Sequence, residues 1–163
     1  MKQIMVSNRH WITDFTEMNG LPPHIIVSIT DPGTLPAILR QNHQTKGVLR
    51  LEFEDVDGDQ PDAMTTEQAE AIANFINEHK DSIDIIVVHC EAGVSRSAGV
   101  AAAISLVVNG DDTKFFHNPK FCPNIWCYRL VLDAFDLMLK EDEIAEKLSA
   151  SEKLFRERWG IDD

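Results

Sequence analysis

Basic residues are scarce in this chain. Fifteen lysines and arginines stand against 27 aspartates and glutamates, a formal charge of 15 − 27 = −12 over 163 residues. Nucleic acid and anionic membrane surfaces are recognised by clustered cations, so neither is an expected partner. Long apolar runs are missing too: the least polar stretch, Ala98 to Val108, is too short to cross the hydrocarbon core of a bilayer. No secretory signal is legible, since Met1-Lys2-Gln3 runs straight into a short apolar stretch. Cysteine is rare, with three residues. An odd count without framework spacing excludes a disulfide scaffold and fits a reducing compartment, the cytoplasm, with a working thiol. Repeats, low-complexity tracts and a second domain are absent. What is there is ordinary globular material, 44% hydrophobic and 26% charged, enough for one domain over residues 1–163 with its own core.

Apolar patterning predicts strands at Ile4 to Ser7, His24 to Ile29, Gly47 to Phe53 and Asp84 to His89. The second of these closes on the turn Thr30-Asp31-Pro32-Gly33. Between them fall helical patterns: a short one at Leu35 to Gln41, and one from Thr65 to His79. The latter puts Ala69, Ile72, Ala73 and Ile76 on one face and has a Thr65/Gln68 capping box. Asn8 to Trp11 reads as a loop or the start of a helix. A helix follows the fourth strand from Ser97 to Val108. Another is expected at Ile125 to Leu139, with Val131, Ala134, Phe135 and Met138 on one face. A last helix from Asp142 to about Arg158 carries Ile144, Leu148 and Phe155. Strands alternating with helices predict one α/β domain with a central, mostly parallel sheet flanked by helices.

The densest chemistry lies in His89-Cys90-Glu91-Ala92-Gly93-Val94-Ser95-Arg96-Ser97. An apolar strand, Ile85 to Val88, precedes it and an Ala-rich helix follows, so these residues form a tight loop at a helix N-terminus. Inward-facing loop N–H groups there make an anion site, and the positive end of the helix dipole favours the thiolate of a cysteine at its base. Arg96 adds a planar fork suited to two oxygens of a phosphate. Glu91, Ala92, Gly93, Val94 and Ser95 contribute through their backbone N–H groups. Ser97 caps the helix, hydrogen-bonds the Cys90 sulfur, or does both, and His89 either packs beneath the loop and orients backbone near the thiol or is a satisfied core histidine.

Cys90, five residues, Arg96, with His89 before and Ser97 after, resembles the active-site loop of the cysteine-dependent protein tyrosine phosphatases. Its setting is similar to the small dual-specificity branch, including bacterial and phage-type members. The resemblance covers about Gly47 to Leu139 and implies hydrolysis of phosphomonoesters, most readily phosphotyrosine, through a phosphocysteine, with no cofactor and no metal. The substrate is then a phosphorylated protein or a small phosphoester, with phosphate or a similar oxyanion in the loop. In these enzymes a carboxylic acid after the third core strand protonates the departing oxygen, in an apolar-any-Asp pattern. Phe53-Glu54-Asp55 matches and makes Asp55 the first choice; Asp57, in an Asp-Gly variant of the same loop, is the alternative, and Asp59 stands third. Pro123-Asn124 is similar to the Pro-Asn that organises the following helix against the catalytic loop. The loop lacks the lysines that accompany inositol-phosphate hydrolysis in some relatives, which argues against phosphoinositide substrates.

Other readings of the same residues are weaker. Asp55, Asp57 and Asp59 have the spacing of a calcium loop, but Gln60 stands where the turn glycine belongs and Thr66 where the final acid belongs. His117, Cys122 and Cys127 match no zinc spacing. Trp126 and Tyr128 belong to the core or a pocket rim, and Arg9 and Trp11 mark the one legible specificity region. A rhodanese-like sulfurtransferase would also place a cysteine in an anion loop, without explaining Arg96-Ser97 or the acidic loop. A non-catalytic phospho-binding module would not need Cys90, Arg96 and the acids together.

Overall fold

The computed structural model describes residues 1–161. Four strands, β1 (Gln3–Ser7), β2 (His24–Thr30), β3 (Thr45–Glu52) and β4 (Ile85–His89), form one sheet in the order β1-β4-β2-β3. Every pairing is parallel. The helices are α1 (Arg9–Thr16), α2 (Thr66–His79), α3 (Arg96–Asn109), the short α4 (Thr113–Phe116), α5 (Ile125–Ala134) and α6 (Glu141–Trp159).

Strand alternation divides the apolar side chains between two cores. Ile25, Val27 and Ile29 of β2 and Ile86 and Val88 of β4 join α2, α3 and α5 in the larger core. Ile26 of β2 and Ile85 and Val87 of β4 face Ile12 and Phe15 of α1 on the other side. Both central strands are buried throughout, which is why they are rich in Val and Ile, with Ser28 and His89 as buried polar exceptions that bond each other. The Thr65/Gln68 capping box is formed in both directions, at 3.1 and 2.9 Å. Asn8 caps α1 by accepting from Trp11 N–H at 2.7 Å.

The helix expected at Leu35 to Gln41 does not form; the segment is irregular. Pro36 disfavours helical backbone at Leu35, and carbonyls a helix would use internally are taken by neighbours. Arg9 donates to Leu35 O and Pro36 O (2.5 and 3.0 Å), Thr13 to Ile38 O (2.9 Å) and Arg50 to Ala37 O (3.1 Å). The helix expected to reach Leu139 stops at Ala134. Asp136 adopts φ 58°, and Leu137 N–H turns back to Leu132 O at 2.9 Å, a left-handed closure that ends the helix. Met138 is consequently 84% exposed instead of sharing the face of Val131. The α3 helix begins at Arg96 with Ser95 in the cap position, so Ser97 lies inside the first turn and is no cap.

Candidate active site

Ligands of open α/β sheets bind at the C-terminal ends of the strands. Here β4 ends at His89, and the loop 90–95 joins it to α3. The loop is anchored from both sides. Cys90 N–H donates to Ser7 O at the end of β1 (3.3 Å), and Val94 O and Ser95 O accept from Cys122 N–H and Asn124 N–H (3.0 and 2.9 Å). Gly93 has φ +70°, and a Cβ there would lie 2.7 Å from Asn8 N. The loop turns against the chain leaving β1, and only glycine fits.

Cys90 is 2% exposed. Its Sγ is 3.0 Å from Ser97 Oγ and accepts from Gly93 N–H at 3.3 Å. Ser97 is therefore a sulfur partner. His89 lies beneath the loop, fully buried. Its Nδ1 is 3.3 Å from Cys90 O and its Nε2 2.6 Å from Ser28 Oγ. A carbonyl can only accept, so Nδ1 carries the proton and Nε2 accepts from the serine hydroxyl. Burial above all pushes the imidazole down to about 4, so His89 is neutral at pH 7 and acts as a fixed dipole joining β2 to the loop.

Arg96 is buried at the first position of α3. Its Nη1 donates to Phe53 O, just past the end of β3, and pairs with Asp31 Oδ1 in the turn after β2, each at 2.7 Å. Sequence reasoning misses Asp31, because Asp-Pro-Gly reads only as a turn.

The acidic segment is closed by Glu54 N–H donating to Asp62 O at 2.7 Å. Within it, Asp55 Oδ1 accepts from Ser95 Oγ and from Asn124 Nδ2, both at 2.8 Å. Asn124 also donates to Val56 O (2.9 Å) and, through Oδ1, caps α5 by accepting from Cys127 N–H (3.0 Å). Asp57 is exposed two residues on and lines the same cleft of about 420 Å³, with Gln60, Ser95, Pro123 and Asn124. The structure thus ties Asp55, and not Asp57, by its carboxylate to the loop that carries the thiol. Asn124 stands at the centre of this network, and Gly99 of α3 makes room for it: a Cβ at Gly99 would lie 2.3 Å from Asn124 O.

Cys127 is buried, and desolvation with the nearby Asp55 charge raises its thiol. Cys122, half-buried on the cleft wall, is raised for the same reasons, with Glu152 adding to it. Neither site favours a thiolate. Tyr128 is core, its hydroxyl donating to the buried Asp112 at 2.5 Å, and Trp126 donates to Met64 O at 3.0 Å. Arg9 is committed to Glu91 (3.1 Å) and to the 35–36 carbonyls, bracing the loop against α1. Among the described residues no three His, Cys, Asp or Glu side chains converge as metal ligands.

A buried thiol that accepts a loop N–H, an arginine at the far end of that loop and a carboxylate bonded to its rim thus converge at the end of β4. Solved structures identify the fold that carries these residues. DUSP15 matches with a TM-score of 0.51 at 20% identity, over 99% of this chain and 96% of that one. This is the small dual-specificity phosphatase fold. Human tyrosine phosphatase-like serine/threonine/tyrosine-interacting protein matches with a TM-score of 0.50 at 15% identity, over 93% and 92% of the two chains. A single-residue variant of human DUSP28 gives 0.50 at 12%, over 97% and 94%. At these identities the dual-specificity likeness is one of fold. No family's sequence profile and no curated protein matches the chain.

Proposed function

We propose that this protein hydrolyses phosphomonoesters, chiefly protein phosphotyrosine and with it phosphoserine and phosphothreonine, through a phosphocysteine. The observation that carries the reading is a carboxylate, Asp55, hydrogen-bonded through Ser95 to the loop holding the Cys90 thiol. The Cys90 thiolate attacks phosphorus, and the bond from phosphorus to the leaving oxygen breaks. Loop N–H groups of residues 91–96 and the Arg96 guanidinium hold the equatorial oxygens through a loose transition state. Asp55 delivers a proton to the departing oxygen from Oδ2, since Oδ1 already accepts two hydrogen bonds. The same carboxylate then takes a proton from water as that water attacks phosphocysteine, and the Ser97 hydroxyl at 3.0 Å stabilises the departing sulfur. No cofactor enters this sequence. A reducing cytoplasm keeps the thiol available, and no helix among the described residues is long and apolar enough to cross a membrane.

Hydrolysis of an aryl phosphate by the purified protein tests the reading. Cys90→Ser abolishes turnover yet still binds vanadate, because a serine hydroxyl without an adjacent base is a poor nucleophile. Arg96→Lys is severely impaired, since an ammonium cannot reproduce the fork. More than about a hundredth of wild-type activity in Cys90→Ser, set against the roughly 10²–10⁴-fold worth of a single catalytic group, rules out the covalent route. Transfer of sulfur from thiosulfate in place of phosphate ester hydrolysis identifies a sulfurtransferase.

A further inference from the structure

Resting on that reading, we infer that Asp31 is a positioning residue that sets which edge of the Arg96 guanidinium faces the phosphate. Two groups of the protein hold Arg96 at Nη1: it donates to Phe53 O and is ion-paired with Asp31 Oδ1, each at 2.7 Å. The edge formed by Nε and Nη2 is then the one free to grip two oxygens of a phosphoryl group. The backbone holds Asp31 firmly. It is the first residue of a turn in which Pro32 precedes Gly33 at φ +77°, and its carbonyl accepts from both Thr34 N–H (3.2 Å) and Thr34 Oγ1 (2.6 Å). The second anchor is equally rigid, because Phe53 N–H donates to Thr30 O at 3.2 Å and so ties the ends of β2 and β3 together. Two adjacent strand ends thus clamp one nitrogen of an arginine whose side chain is 7% exposed.

A carboxylate beside an arginine also competes for its charge. Two features make orientation the larger effect. Asp31 is 48% exposed, so water screens its field. It also sits against Nη1, leaving the bidentate edge to an anion. A guanidinium swinging on its flexible stem has to be ordered at each binding event, and Asp31 has ordered it beforehand.

The test is phosphate binding by calorimetry together with kcat/KM on aryl phosphates of graded leaving-group pKa. Asp31→Ala is expected to weaken inorganic phosphate binding and lower kcat/KM, both by roughly tenfold or more, equally for every leaving group. Asp31→Asn, which keeps an acceptor oxygen, recovers part of the loss. In an Arg96→Lys background Asp31→Ala adds little, because the two act as one unit. A merely structural role would instead add its full cost there. Unchanged or tighter phosphate binding by a folded Asp31→Ala, with Asp31→Asn behaving likewise, overturns the inference and leaves the phosphatase reading standing. A wild-type protein that neither binds phosphate nor hydrolyses esters overturns that reading and this inference with it.

Discussion

Of the two acidic side chains the sequence offers for proton transfer, one is bonded to the thiol's loop. Asp55 is held to the loop rim by Ser95 and Asn124, whereas Asp57 lines the same cleft without such a bond. Asp55→Asn is therefore expected to slow phosphotyrosine hydrolysis by about 10²–10⁴-fold, the usual worth of general acid catalysis, and far less for good leaving groups that depart without a proton. Asp57→Asn leaves that dependence unchanged. A leaving-group series on both variants decides the matter, and a steeper dependence in Asp57→Asn alone reverses the assignment. His89 supplies a stability prediction. It titrates near 6.5 unfolded and at about 4 folded, so between those values the unfolded chain holds more protons and stability rises with pH. The contribution is present above pH 6.5, is lost as pH falls towards 4, and is worth about 3 kcal/mol in full. Urea unfolding of wild type and His89→Gln between about pH 5 and 7 checks this: the wild type alone has the extra slope, and parallel curves contradict it. Cys90, Arg96 and Ser97 are legible in the sequence because chemistry and chain order coincide in one loop. Asp31 is not, because its partner lies far along the chain and a turn accounts for Asp-Pro-Gly unaided.

Among the elements, the sequence signals every strand, α2, α3 and α6, through unbroken apolar runs or a clear helical stripe. The segments that depart from expectation are decided by partners no local pattern displays. Leu35 to Gln41 has apolar residues at helical spacing, yet side chains of α1 and β3 collect its carbonyls. Met138 continues the stripe of α5, but the left-handed turn at Asp136 has already ended the helix. The packing of α3 on the start of α5 is the contact on which the placement of Asp55 depends. Gly99→Ala places a Cβ 2.3 Å from Asn124 O, so the Pro123-Asn124 segment must move. The expected cost is about 1–3 kcal/mol of stability, as for other overpacked sites. Turnover of phosphotyrosine should fall more than turnover of substrates with good leaving groups, because Asn124 carries Asp55 with it. Denaturant melts paired with the two assays check both parts; a stability loss with no selective kinetic effect detaches Asn124 from the acid.

The whole molecule presents a net charge of −12, and the arginines around its loop already have carboxylate partners in Glu91 and Asp31. On the proposed reading, a local anion site within an acidic body favours a singly phosphorylated group over a polyanion or an anionic surface. Sedimentation with vesicles containing phosphatidylserine or a phosphoinositide should leave the protein in the supernatant at physiological salt, and turnover of a phosphotyrosine peptide should exceed that of a phosphoinositide headgroup. Vesicle binding with faster headgroup turnover contradicts this. The kinetic expectations rest on the proposed covalent bond between phosphorus and Cys90 Sγ. Rapid acid quenching of the protein during turnover of a ³²P-labelled phosphotyrosine peptide, followed by proteolysis and mass spectrometry, looks for that bond directly. The account predicts label on the peptide containing Cys90 and none in Cys90→Ser. Turnover without any labelled cysteine, or label on Cys122, Cys127 or a non-cysteine residue, contradicts it.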